Sequence, residues 1–133
     1  MTLQVGVKVL IENSEGLYLF LKRSTVTASQ VQNSWDIPGG RINSDEKLIE
    51  ALKREVLEEI NYELKSIPRL ISAQDIFVTG KDLHVVRLTY ITKEEVPNIL
   101  LSDEHDEYVW RSLNDIYTMV TDPHLKEVLQ TLK

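Results

Sequence analysis

A chain of 133 residues is long enough for one domain with its own core and too short for two ordinary ones, so a single domain over residues 1–133 is expected. Hydrophobic residues at 42% and charged residues at 27% describe a folded globular chain and exclude extended disorder. The formal net charge of -6 argues against a binder of nucleic-acid polymers, and the lack of cysteine excludes disulfides, thiolate metal sites and cysteine nucleophiles.

The chain opens Met1-Thr2-Leu3-Gln4-Val5 with no basic flank and no continuous apolar run, and no stretch reaches membrane-span length. A cytoplasmic protein with no membrane partner is expected. Leu3, Val5, Val7, Val9 and Ile11 alternate with other residues at the period of a strand. Asn13-Ser14-Glu15-Gly16 reads as a turn, and Leu17 to Leu21 as the returning strand, with Arg23 where the strand gives way to a loop. Ser24 to Ser34 is polar and aperiodic, a loop long enough to be a binding loop. Trp35 follows, placed either to stack on a base or to pack in the core. In Pro38-Gly39-Gly40 the paired glycines permit positive φ and a close backbone approach.

From Glu46 to Ile60 the period becomes helical. At about 100° per residue, Leu48, Leu52, Val56 and Ile60 form one stripe. Glu55, Glu58 and Glu59 stand at i, i+3 and i+4, so their carboxylates converge on one face, with Glu59 at the edge of the apolar stripe. Unpaired carboxylates held this close repel and raise at least one pKa unless a cation sits among them. Arg54, four residues from both Glu50 and Glu58, is placed to brace them. Asn61 falls where the helix ends, and asparagine tolerates the left-handed conformation of a C-terminal cap.

Beyond the helix, Leu70 to Val78 and Leu83 to Thr92 read as strands around the turn Thr79-Gly80-Lys81-Asp82. Lys93 to Ser102 is a loop interrupted by Pro97. Asp103-Glu104-His105-Asp106-Glu107 is a second acidic cluster, leading into a short strand through Trp110; His105 is read either as a proton shuttle or ligand, or as a loop histidine with no such duty. Asn114 to Val120 reads as a short helix. Asp122 as N-cap and Pro123 at the first helical position start a last helix, with Leu125, Val128, Leu129 and Leu132 as its stripe.

Gly40, five residues, Glu46, seven residues, then Arg54-Glu55-Val56-Leu57-Glu58-Glu59-Ile60-Asn61-Tyr62 resembles the signature box of the Nudix hydrolase family, MutT-like members included. One position departs, Asn61 standing where the family usually has glycine. The resemblance implies an α/β fold: an α/β/α sandwich around a mixed central sheet, with a catalytic loop-helix-loop and a C-terminal helix. It implies a small-molecule nucleotide substrate and Mg²⁺, with Mn²⁺ as the substitute, held by Glu55, Glu58, Glu59 and the Gly39 carbonyl. Arg54 and Glu46 would orient those glutamates, Arg23 would lie near substrate phosphates, and Glu104 or Glu107 would add a ligand or a general base. Glu58 and Glu59 are the other candidates for the base.

Hydrolysis of the diphosphate linkage in a nucleoside diphosphate linked to another group is the activity so implied. Markers of the ADP-ribose, diadenosine polyphosphate and coenzyme A branches are missing or fragmentary around Ile76-Phe77-Val78 and Leu21-Lys22-Arg23. That leaves ordinary or oxidised nucleoside triphosphates favoured, with an ADP-ribose or nucleotide-sugar pyrophosphatase and a non-catalytic nucleotide sensor as alternatives. The resemblance also admits a homodimer.

Overall fold

The alternating N-terminal segment folds as strand β1 (Thr2–Glu12). Asn13 Oδ1 accepts the N–H groups of Glu15 and Leu17, each at 3.0 Å, and so closes the turn into β2 (Tyr18–Arg23). The structure, a computed structural model, describes residues 1–24 and 35–133. The expected binding loop from Ser24 to Ser34 therefore lies, apart from Ser24, outside the described residues. Two short strands follow, β3 (Trp35–Asp36) and β4 (Gly39–Arg41), then helix α1 (Leu48–Ile60). The expected hairpin is present as β5 (Arg69–Val78) and β6 (Leu83–Lys93). Strand β7 (His105–Arg111) and helices α2 (Leu113–Tyr117) and α3 (Pro123–Leu132) complete the chain.

The sheet is mixed. Its strands run β3-β2-β1-β6-β5, with β4 beside β1 and β7 beside β2. Strands β1 and β6 pair in parallel along their whole length, from Thr2↔Leu83 to Glu12↔Lys93, and the other pairs are antiparallel. After Glu12↔Tyr18 strands β1 and β2 part, and β4 lies along β1 instead, with Gly6 opposite Arg41 and Lys8 opposite Gly39.

Helices cover both faces, as an α/β/α sandwich requires. Val7, Val9, Ile11, Leu19 and Leu21 pack against Leu52, Val56 and Ile60 of α1. On the other face Leu10, Phe20 and Ile37 pack against Ile116 of α2 and Leu125, Val128 and Leu129 of α3. Each such side chain contributes about 1.5–3 kcal/mol by leaving water. Leu48 departs from the expected stripe: it is 36% exposed, beside Ile67 and Leu70 in a shallow apolar groove. Among the described residues no helix is long and apolar enough to cross a membrane.

The start of α1 at Leu48 rather than Glu46 has a local cause. Glu46 Oε1 accepts the Asn43 N–H at 2.9 Å and Glu50 Oε1 accepts the Lys47 N–H at 3.2 Å, so the turn before the helix is closed by carboxylates. At its other end Asn61 takes φ 57° and ψ 41° and donates its N–H to Leu57 O at 3.0 Å, the left-handed cap expected of this residue.

Glu94 ties the segment after α1 to the end of β6. Its carboxylate accepts from Tyr62 Oη at 2.5 Å, from the Ser66 N–H at 3.0 Å and from the Lys65 N–H at 3.2 Å. Burial opposes its charge, but the hydroxyls of Ser66 and Tyr62 and these two N–H groups more than reverse that and hold its pKa below the ordinary value. Burial, helped by Glu94, pushes Tyr62 up to about 12. Replacing Glu94 with alanine strands several partly buried donors, and urea denaturation is expected to show a loss of about 1–3 kcal/mol. A carboxylate with a lowered folded pKa stabilises above its unfolded value and loses that effect as pH falls through the folded one, so the gap between wild type and variant should narrow below pH 4.5.

Candidate active site

The face of α1 that carries Glu55, Glu58 and Glu59 meets the backbone of β4. Glu59 is 6% exposed, and its Oε1 accepts the Gly39 N–H at 2.8 Å. Burial pushes its pKa up to about 7, against the Gly39 hydrogen bond and the charge of Lys8, with Glu55 and Asp36 adding to the rise. Gly39 has φ 145°, and a Cβ there would lie 2.0 Å from Val7 O. At Gly40 a Cβ would lie 2.5 Å from Glu55 Oε2, in the space that this carboxylate fills. The glycine pair thus serves two separate ends: the first lets β4 lie against β1, the second makes room for Glu55.

Arg54 gathers the other carboxylates. It grips Glu46 with two bonds, Nε to Oε2 at 2.6 Å and Nη2 to Oε1 at 2.9 Å. Its Nη1 donates to Glu55 Oε1 at 2.9 Å and to Glu58 Oε1 at 3.1 Å, and its Nη2 also reaches Arg41 O at 3.1 Å. Glu50, the other partner expected for Arg54, turns instead to the Lys47 N–H. Hydrogen bonds from Arg54, then from the Asn43 N–H, hold the Glu46 pKa down. Burial raises that of Glu55 in spite of Arg54, and Glu58 and Glu104 raise it further. One guanidinium therefore faces three carboxylates.

Among the described residues no three acidic or imidazole groups enclose a ready cation cage, since Arg54 bridges Glu55 and Glu58. The donor chemistry nonetheless fits a hard divalent cation. Glu59 Oε2 accepts no hydrogen bond among the described residues, the charge is in excess, and the missing Cβ of Gly40 keeps the Glu55 carboxylate beside β4.

The segment after β6 passes the end of α1 and satisfies its last carbonyls, Leu100 N–H to Ile60 O and Ser102 N–H to Glu59 O, both at 3.1 Å. This path brings the Glu104 carboxylate close enough to raise the pKa of Glu55. Glu107 goes elsewhere: it pairs with Lys22 across β2 and β7 at 3.6 Å, and its side chain is 57% exposed. Of the two acidic candidates, Glu104 is the one whose charge reaches Glu55.

Of the two placements open to Trp35, the fold takes the core and not the stacking one. Paired across from Lys22, its ring lies 7% exposed in the layer beneath α2 and α3, with Leu10 and Phe20. His105 is not a loop histidine, since it opens β7 opposite Arg23 and is buried. Burial, then the charge of Lys8, lowers its pKa, and its Nδ1 has no hydrogen-bond partner among the described residues.

A basic pocket of about 360 Å³ is lined by Lys8, Arg23, Arg41 and Arg87 and reaches Gly40; sequence reading had singled out only Arg23 of these. Lys8 Nζ is 2.9 Å from Asp36 Oδ2, and Arg87 Nη1 is 2.9 Å from Asp122 Oδ2. Burial opposes the Asp36 charge, but Lys8 with the Ile37 N–H holds its pKa below the ordinary value. The other available signal was Lys8, set between Val7 and Val9.

The family model of the NUDIX domain matches residues 2–132. Over 82 residues the chain is 29% identical to the 8-oxo-dGTP diphosphatase of Buchnera aphidicola subsp. Acyrthosiphon pisum, a match covering 62% of this chain and 63% of that protein. It is 40% identical over 60 residues to the m7GpppN-mRNA hydrolase NUDT17 of Danio rerio, covering 45% of this chain and 20% of that protein. The chain thus spans less than two thirds of the length of either curated relative. The crystal structure of the MutT protein from Methanosarcina mazei Go1 superposes with a TM-score of 0.82 at 31% identity, covering 97% of this chain and 91% of that one.

Removing Lys8 as Lys8→Met leaves Asp36 partly buried without its cation. A loss of about 2–3 kcal/mol is expected in chemical denaturation, below the roughly 3–5 kcal/mol that a fully buried orphaned charge costs, because both side chains keep some exposure. Adding Asp36→Asn to that variant should recover part of the loss, and a purely additive double-mutant cycle would show the pair to be uncoupled.

Proposed function

The chain belongs to the Nudix family, and from that premise we propose that it is a Mg²⁺-dependent hydrolase of nucleoside diphosphates linked to a further group. The favoured substrates are ordinary or oxidised nucleoside triphosphates, cleaved by water to the monophosphate and pyrophosphate. The observation that carries the reading is the contact of α1 with β4, where Glu59 is buried against Gly39 and Glu55 fills the space of the missing Gly40 side chain.

Glu55, Glu58 and Glu59, with the Gly39 carbonyl, are the groups that would hold the cation. When bound, it would neutralise phosphate oxygens and lower the pKa of the attacking water. Arg54, fixed by its two bonds to Glu46, orients Glu55 and Glu58. Glu104, carried to the box by the segment that caps α1, is the carboxylate we assign to take the proton of that water. A polyphosphate lying from this cluster into the neighbouring pocket meets Arg23 and Arg41, and neither has an acidic partner among the described residues. The name of the Buchnera relative, an 8-oxo-dGTP diphosphatase, supports the triphosphate reading.

Incubation with Mg²⁺ and a panel of nucleoside triphosphates, oxidised dNTPs, ADP-ribose and nucleotide sugars, resolved by anion exchange, tests the proposal. Monophosphate plus pyrophosphate is the expected outcome, abolished by chelator. Glu58→Gln, at a largely exposed position, should lose several orders of magnitude in turnover while its thermal midpoint stays close to wild type. Release of orthophosphate, or an unchanged rate in that variant, would reject the assignment.

A further inference from the structure

Residues 94–104 cross from β6 to β7 as irregular backbone, with Pro97 in their course. No ladder of strand or helix bonds shapes such a segment, so its path is set by whatever pins it. At its start the Glu94 N–H donates to Glu12 O at 3.0 Å, and the Glu95 carboxylate accepts the Ser14 N–H at 2.9 Å and the Ser14 hydroxyl at 2.7 Å. In its middle Val96, Ile99 and Leu101 pack against the core layer of α1. Near its end the N–H groups of Leu100 and Ser102 close the last turn of α1 on Ile60 O and Glu59 O.

The Glu94 side chain adds a second hold on the same helix. Its donors are the Tyr62 hydroxyl at 2.5 Å, the Ser66 hydroxyl at 2.5 Å and the N–H groups of Lys65 and Ser66, all in the stretch that leaves α1. Asn61, in its left-handed conformation, turns that stretch, and the Lys65 amino group lies 4.9 Å from the centre of the Tyr62 ring. The segment is thus attached to the C-terminal end of α1 at two places, through Glu94 and through the pair Leu100 and Ser102. One attachment lets an irregular segment swing; two fix its direction.

Glu104 is the group that this fixing serves. Its carboxylate accepts no hydrogen bond among the described residues, so the backbone decides where that charge stands. The Glu104 N–H reaches Ser102 Oγ at 3.4 Å, its carbonyl accepts the Ser24 N–H at 2.8 Å, and the His105 N–H closes the turn on Ser102 O at 3.2 Å. Ser102 therefore bonds to the backbone of both Glu59 and Glu104. We propose that Glu94 is a positioning residue of the reaction: by tying the segment to the exit of α1, it sets where Glu104 stands relative to Glu55, Glu58 and Glu59. This deepens the hydrolase reading and rests on its assignment of Glu104 as base. A displacement of about 1 Å at a reacting group costs on the order of a hundredfold in rate, so the effect belongs in kcat.

Steady-state kinetics with Mg²⁺ and the panel nucleotide that wild type cleaves fastest, well below the thermal midpoint of every variant, provide the test, with amide hydrogen exchange alongside. Glu94→Ala should lower kcat roughly tenfold to a hundredfold and leave KM within about twofold. Glu94→Gln, which keeps one carbonyl oxygen for these donors, should recover part of the loss. The amides of Leu100 and Ser102 should lose protection in Glu94→Ala while those in the middle of α1 keep theirs. In a Glu104→Gln background, where the residual rate no longer uses that carboxylate, adding Glu94→Ala should change turnover by less than about twofold. Unchanged protection at Leu100 and Ser102 would overturn the inference. So would a loss of the same factor in the Glu104→Gln background, which would assign the effect of Glu94 to the fold at large. Wild-type kcat in Glu94→Ala, with Glu104→Gln still impaired, would overturn this inference and leave the reaction standing. Wild-type turnover by Glu104→Gln would remove the base assignment and this role with it, and a protein that hydrolyses nothing would sink the reaction itself.

Discussion

The site depends on one hydrogen bond, from the Gly39 N–H to the buried carboxylate of Glu59. A carboxylate this deep is costly unless something answers its charge. Here the answer is a backbone donor on a three-residue strand, with Lys8 further off. For that donor to reach the helix, β4 must lie flat on β1, which its φ of 145° and the contact with Val7 O permit only to glycine. Glu55 can then fill the place where residue 40 has no side chain, and Arg54 can reach from Glu46 to Glu58 and to the backbone of β4. Helix, strand and charge cluster are therefore one mechanical unit.

Around that unit the charges separate. A chain of net charge -6 places its carboxylates along α1 and the segment leading to β7, and sets four cations around a pocket past the edge of β4. Two of those cations, Lys8 and Arg87, are held by Asp36 and Asp122, so their positions are set by the fold rather than by solvent. Under the proposed reading, a polyanion would find two kinds of partner here, divalent cations at the carboxylates at one end and guanidinium groups at the other. Segment 94–104 binds the arrangement together. It is anchored at Glu94 to the turn after α1, caps the helix carbonyls at Glu59 and Ile60, and ends at Glu104.

Much of this was legible beforehand because it is local. The convergence of Glu55, Glu58 and Glu59 follows from helical geometry, the depth of Glu59 from its place beside the apolar stripe, and the left-handed Asn61 from the end of the periodic run. Asp122 and Pro123 announced α3 in the same way. Each of these depends on residues a few positions apart, whose relative placement one element decides. The family resemblance was carried by the same local string.

What only the tertiary structure decided involves partners far apart in the chain. The parallel pairing of β1 with β6, and the passage of β4 into the gap left by β2, bring Arg41, Gly6 and Arg87 into one row, and no periodicity within a strand reports its neighbours. The register of β2 with β3 turned Trp35 into the core, and that of β2 with β7 gave Glu107 to Lys22 and buried His105, leaving Glu104 for the box. The sequence by itself thus determined which carboxylates converge on one face of α1, because a helix places its own side chains. Strand pairing determined what faces them, because a register is a property of two segments and is set by the packing of the whole sheet.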